Sequence, residues 1–142
     1  MTTKSVTLHD GRTASYVDVS DPPQGGMKKV YFAPDRSQVI AFFHDAAASA
    51  DPNRMARLQA VVGKFNPIAA DPETAAYWSQ LFCWPSAIVT KPVVGVVAPT
   101  YPKNYFFATG PFAGKEKKAK WFTSPKLRKY LPEAERGTWI NY

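Results

Sequence analysis

The stretch Lys28-Lys29-Val30-Tyr31-Phe32-Ala33-Pro34-Asp35-Arg36-Ser37-Gln38-Val39-Ile40-Ala41-Phe42-Phe43 decides the fold. Its two runs of β-branched and aromatic residues suit pleated strands, and Pro34-Asp35-Arg36 between them is short enough for an antiparallel hairpin. The second run is apolar on both faces, which places it inside a sheet and covered on each side. Upstream, Ser5-Val6-Thr7-Leu8 alternates, His9-Asp10-Gly11-Arg12 turns, and residues 13–19 carry Tyr16, Val17 and Val19, the pattern of a second hairpin. Between the hairpins Ser20-Asp21-Pro22-Pro23-Gln24-Gly25-Gly26 concentrates breakers into a loop whose glycines let backbone approach a ligand closely.

Downstream, Asp51-Pro52 supplies an N-cap and a first-turn proline, and Met55, Leu58, Val61 and Val62 recur at helical spacing before Gly63. Asp71-Pro72-Glu73 repeats the start signal for a shorter helix carrying Tyr77, Trp78, Leu81 and Phe82, which Pro85 stops. A further hairpin follows, with strands at 87–90 and 93–98 about a Lys91-Pro92 turn and Pro99 as its end. Residues 100–142 mix basic and aromatic residues without clean periodicity until Pro132, after which 133–142 reads as the opening of a helix. Helices set between antiparallel hairpins make an α+β chain.

With 142 residues the chain has room for one full-sized domain, and 45% hydrophobic residues supply its core. No apolar run reaches the ~20 residues of a spanning helix, and the N-terminus lacks the apolar segment of a secretory signal, which points to the cytoplasm. The lone Cys83 excludes an internal disulfide, and His9 and His44 are too few for a structural zinc cluster. Cys83, between Phe82 and Trp84, reads as a small buried hydrophobe, and neither histidine has a sequence-adjacent nucleophile of the kind a hydrolase motif carries. A net charge of +7 directs attention to anionic partners: a nucleotide, nucleic acid, an acidic protein or an anionic surface.

The segment Gln24-Gly25-Gly26-Met27-Lys28-Lys29-Val30-Tyr31 resembles a protein-kinase glycine-rich loop (residues 22–28) running into the second strand of the kinase small lobe. Lys28 stands where a third glycine is usual, and Ala41 falls near the place of the usual third-strand lysine. Both departures resemble the with-no-lysine kinases, in which a second-strand lysine reaches the phosphates from the neighbouring strand. More of the chain, including residues 16–32, Leu81-Phe82-Cys83-Trp84-Pro85, Gly95-Val96-Val97-Ala98-Pro99-Thr100-Tyr101 and residues 114–122, is similar to bacterial serine/threonine kinase-like proteins of tellurite-resistance clusters.

That resemblance implies a kinase small lobe at 1–102, an antiparallel five-stranded sheet with a packed helix and an additional short one, followed by a basic, aromatic extension at 103–142. It implies ATP held by Gln24, Gly25, Gly26, Met27, Lys28, Val30 and Ala41, with a hinge at 98–101 whose backbone at Ala98 and Thr100 meets the adenine. It also implies a metal-dependent protein phosphatase and a von Willebrand A-type protein as signalling partners.

No string resembles the catalytic or magnesium-binding loops of a kinase large lobe, so magnesium and catalysis are expected only with that lobe. The chain stops at Thr138-Trp139-Ile140-Asn141-Tyr142, where a kinase would be entering its large lobe, which reads as a small lobe separated from the rest. The helix after residue 52 offers Gln59 where an active kinase has a glutamate, Glu73 is the nearest substitute, and a pseudokinase scaffold is the alternative reading. Lys115, Lys117, Lys118 and Lys120 beside Trp121 and Phe122, extended by Lys126, Arg128 and Lys129, form the densest basic run. Its alternatives are a solvated or docking face and, less in keeping with the rest, a nucleic-acid surface. Trp78, Trp84, Trp121 and Trp139 read as core or interface anchors.

Overall fold

The hairpin forms as the sequence requires. In a computed structural model that describes residues 1–45 and 51–136, β3 (Lys28–Phe32) lies antiparallel to β4 (Gln38–Phe43), with Lys28 opposite Phe43 and Val30 opposite Ala41. Asp35 makes the turn by accepting the Ser37 N–H at 3.0 Å and its hydroxyl at 2.8 Å, while Arg36 takes a left-handed φ of 58°.

Upstream are β1 (Thr2–Leu8) and β2 (Thr13–Asp18), and downstream β5 (Ala87–Lys91) and β6 (Gly95–Pro99). All pair antiparallel in one sheet of order β2-β1-β5-β6-β4-β3. The sheet thus has six strands where five were expected. Six is the count of the three hairpins read from the residues, while five is the count the resemblance implied; β1 pairs with β2 on one edge and β5 on the other. Right-handed twist curls the sheet until its outer strands approach, and Tyr16 of β2 meets Tyr31 of β3 with ring centroids 5.0 Å apart. The result is nearly a barrel.

Alternation along the strands divides the apolar residues between two faces. Val6, Leu8, Tyr16, Ile40, Ala87, Val89 and Val97 fill the interior, with Tyr31 and Phe42 against them. Ala41, Phe43, Ile88 and Val96 are buried on the other face, where α1 (Pro52–Val62) packs on β5. Ile40 and Ile88 are both wholly buried, each adding about 2–3 kcal/mol of hydrophobic stabilisation.

Helix α1 starts as its Asp51-Pro52 signal dictates: the Asp51 carboxylate accepts the N–H groups of Asn53 and Arg54. Trp84 donates its indole N–H to Val61 O at 2.8 Å and anchors the far end. A short α2 (Pro67–Ala70), absent from the sequence reading, begins at Asn66. The Asn66 side chain is buried, accepts the N–H groups of Ile68 and Ala69, and donates to Val62 O. The next helix, α3 (Ala75–Leu81), starts later than Asp71 suggests, because that carboxylate makes a turn with Glu73 and Thr74 instead of capping.

The chain divides into two compact units, Met1–Thr100 and Tyr101–Tyr142. The second has its own core of Phe107, Trp121 and Leu131 with Phe112 and Leu127. Around it run a 3-10 turn (Lys103–Tyr105), α4 (Ala119–Thr123), α5 (Pro125–Arg128) and α6 (Glu133–Arg136). The helix expected over 133–142 is present as α6, and the rest of that stretch, with Trp139, lies outside the described residues.

Candidate functional site

Residues 23–25 fold back along β3. Pro23 O accepts the Val30 N–H at 2.8 Å, Gln24 bridges Lys29, and the Gly25 N–H donates to Lys28 O at 3.0 Å, leaving Gly26-Met27 as the tip. His44, just past β4, holds this tip twice. Its backbone N–H donates to Met27 O at 3.0 Å, and its Nε2 lies 2.8 Å from Gly25 O, a bond that requires the proton on that nitrogen. A Cβ built on Gly25 or Gly26 meets nothing within 4 Å. The two glycines are therefore free of packing demands and border open space.

Lys28 opens β3 at the base of this turn, half-buried, with its ammonium 5.3 Å from the Phe43 ring centroid. Val30 and Ala41 face each other across the ladder behind it, while Gln24 and Met27 are exposed at the tip. Gln59 and Glu73 both point to solvent, and no carboxylate is ion-paired to Lys28 among the described residues. The side chain that α1 brings there is Arg54, its guanidinium carbon 5.2 Å from the same Phe43 centroid. Sequence reading passed over Arg54; its place three residues beyond the Asp51 cap, in the first turn facing the end of β4, is the signal that would have found it.

Ala98 and Thr100, expected from the resemblance to meet the adenine, lie towards the other end of β4, where Ala98 sits opposite Val39. Four residue steps separate Val39 from Phe43, which puts the Ala98 and Lys28 ends about 14 Å apart along the strand. The Thr100 N–H donates to Ser37 O at 3.1 Å and is committed within the sheet. The Thr100 hydroxyl oxygen is buried without a hydrogen-bond partner among the described residues.

The basic run is not uniform. The Lys117 side chain is only 7% exposed and its ammonium is fixed by Glu135 at 2.6 Å and Asn104 O at 2.9 Å, so it is structural. Lys118, Lys120, Lys126 and Lys129 are exposed, and an open groove of about 280 Å³ within the second unit is lined by Tyr101, Tyr105, Glu116, Lys117 and Lys118. Cys83 is half-buried, and burial pushes the pKa of its thiol up, disfavouring the thiolate. His9 is structural, its Nδ1 accepting the Ile88 N–H at 3.2 Å. Among the described residues no group of His, Cys, Asp and Glu is arranged to hold a metal ion, and no helix is long and apolar enough to cross a membrane.

Neither a family profile, nor a curated protein, nor a solved structure matches this chain.

Proposed function

We propose that the chain is the nucleotide-binding small lobe of a serine/threonine protein kinase-like protein. ATP lies across the face of β3, β4 and β6 that carries Ala41, its phosphates towards Gly25, Gly26 and Lys28 and its adenine towards Ala98 and Thr100. The observation that carries this reading is Lys28 at the foot of a tethered, open glycine turn. A long lysine there reaches a phosphate from the strand beside the one that usually supplies it. The order β3-β4-β6-β5, with α1 inserted between β4 and β5, also supports the reading, although β2, the strand before the glycine turn, pairs with β1 at the far edge of the sheet and not with β3.

At the adenine end the Thr100 N–H is already committed to Ser37 O and the Thr100 hydroxyl is buried, so contact with the base falls to the remaining backbone groups near Ala98 and Thr100. Phosphoryl transfer and magnesium binding belong to a large lobe whose motifs this sequence does not carry. The test is ATP binding by titration calorimetry, with Lys28→Ala losing about tenfold or more in affinity through the missing charge-assisted bond. Equal affinity in that variant refutes the lysine's role. Ala41→Lys is a poor swap, because Ala41 is buried between Val30 and Val96.

A second reading, a pseudokinase scaffold for a metal-dependent phosphatase or a von Willebrand A-type protein, is favoured by the separate core of the second unit and its exposed lysines. Failure to capture either partner would dismiss it, and capture that survives reversal of Lys118, Lys120, Lys126 and Lys129 to glutamate would dismiss the role of those lysines.

A further inference from the structure

We infer that Arg54 and Lys28 together form one anion site, built for the phosphate chain of a polyphosphate ligand. The inference rests on the nucleotide reading above and adds the residue that α1 contributes to it. Both cations lean on the buried Phe43 ring, the Lys28 ammonium at 5.3 Å and the Arg54 guanidinium at 5.2 Å from its centroid. Both side chains belong to half-buried residues, and neither has a carboxylate partner among the described residues. Asp51, close by in sequence, directs its two oxygens to the backbone N–H groups of Asn53 and Arg54, not to either side-chain cation.

An aromatic face attracts each cation, and an anion within reach of both would offset the repulsion between two like charges held near one ring. Arg54 presents a planar fork and Lys28 a point charge, a combination suited to gripping successive phosphates of one chain. Gly25 and Gly26 leave open space beside Lys28. In an active kinase the helix delivers a glutamate that holds the lysine; here it delivers a second positive charge, so the ligand's phosphates take the acid's place in joining helix to sheet.

The experiment is calorimetric titration of the full chain with inorganic tripolyphosphate, ATP and adenosine at low salt. The variants are Arg54→Gln, Lys28→Gln and, as a control of equal charge loss on the exposed side of α1, Arg57→Gln. Circular dichroism checks that each is folded. Tripolyphosphate binding that falls about tenfold in Arg54→Gln and in Lys28→Gln but holds in Arg57→Gln supports the pair. Failure of the wild type to bind tripolyphosphate overturns it, as does equal loss in the Arg57 control. If tripolyphosphate binds through the pair and ATP binds no tighter, the anion site stands and the nucleotide reading falls. If ATP binds more tightly than tripolyphosphate but is indifferent to Arg54→Gln, the nucleotide reading stands and the pair falls.

Discussion

Replacing Gly95 by alanine should destabilise the first unit, and the structure sets the scale. A Cβ on Gly95 would lie 2.5 Å from Ala41 O, 3.1 Å from Ala41 C and 3.2 Å from the Phe42 Cα, all backbone atoms of β4. Gly95 is buried and faces Phe42 on one side and Val89 on the other, so neither neighbouring strand can swing away. Alanine recovers about 0.5–1 kcal/mol of the entropy that glycine loses on folding. Against this, forcing two paired strands apart costs about 1–3 kcal/mol and more when backbone must move. The expected balance is a loss of about 1–2 kcal/mol, or roughly 4–16 °C in Tm for a unit spanning Met1–Thr100. Urea unfolding followed by far-UV circular dichroism measures it, with Gly26→Ala as the control, since its added methyl meets nothing within 4 Å. A Gly95→Ala protein as stable as the wild type would refute the close β4–β6 approach. Because β4 also carries Ala41 and Phe43 beneath the candidate site, the same variant should weaken anion binding without touching a charge.

Asn66→Ala removes a buried cap to Ile68 and Ala69 and a bond to Val62 O, and should cost about 1–2 kcal/mol by the same unfolding assay; less than a few tenths would deny the cap its role. Lys117→Met takes away the ammonium held by Glu135 and Asn104 O and should lower the stability of the second unit by about 1–3 kcal/mol, read from fluorescence in a protein that keeps Trp121 as its single tryptophan; an unchanged transition would return Lys117 to the solvated basic run. The Asp35 carboxyl is held below the ordinary aspartate value, about 3.9, first by the Ser37 N–H and then by its hydroxyl. Its contribution to stability is therefore present above that value and lost as the pH falls through the lower, folded one. A carboxyl titration by NMR with its midpoint at or above the ordinary value would contradict the turn.

What could be read from the sequence was local. The β3–β4 hairpin announced itself because β-branched and aromatic residues flank a stiff turn, and α1 because Asp51-Pro52 both caps and starts it. Asn66-Pro67 carries the same kind of signal, but its four-residue helix has no periodicity to support it. Asp71 misled in the opposite direction, since a carboxylate satisfied in a turn looks the same in sequence as one that caps a helix. The pairing of β1 with β5 joins residues far apart in the chain, and no short-range pattern encodes it. At the site, Gly25, Gly26 and Lys28 were conspicuous as a motif, whereas Arg54 and His44 matter only through where β4 ends. Lys117 looked like its neighbours because charge runs do not reveal which member turns inward.

The position of β1 also bears on how the protein is made. Thr2–Leu8 is translated just ahead of β2 and finds it at once, but its other edge waits for Ala87–Lys91, and Thr7 is opposite Lys91. At ordinary rates of translation that wait is on the order of ten seconds. Through it a nascent hairpin displays an unpaired edge and the apolar side chains of Val6 and Leu8, the kind of surface that cellular holdases recognise. Synonymous codons that slow translation ahead of residue 87 would lengthen that exposure, which makes the yield of folded protein sensitive to a stretch of message far from the strand it protects.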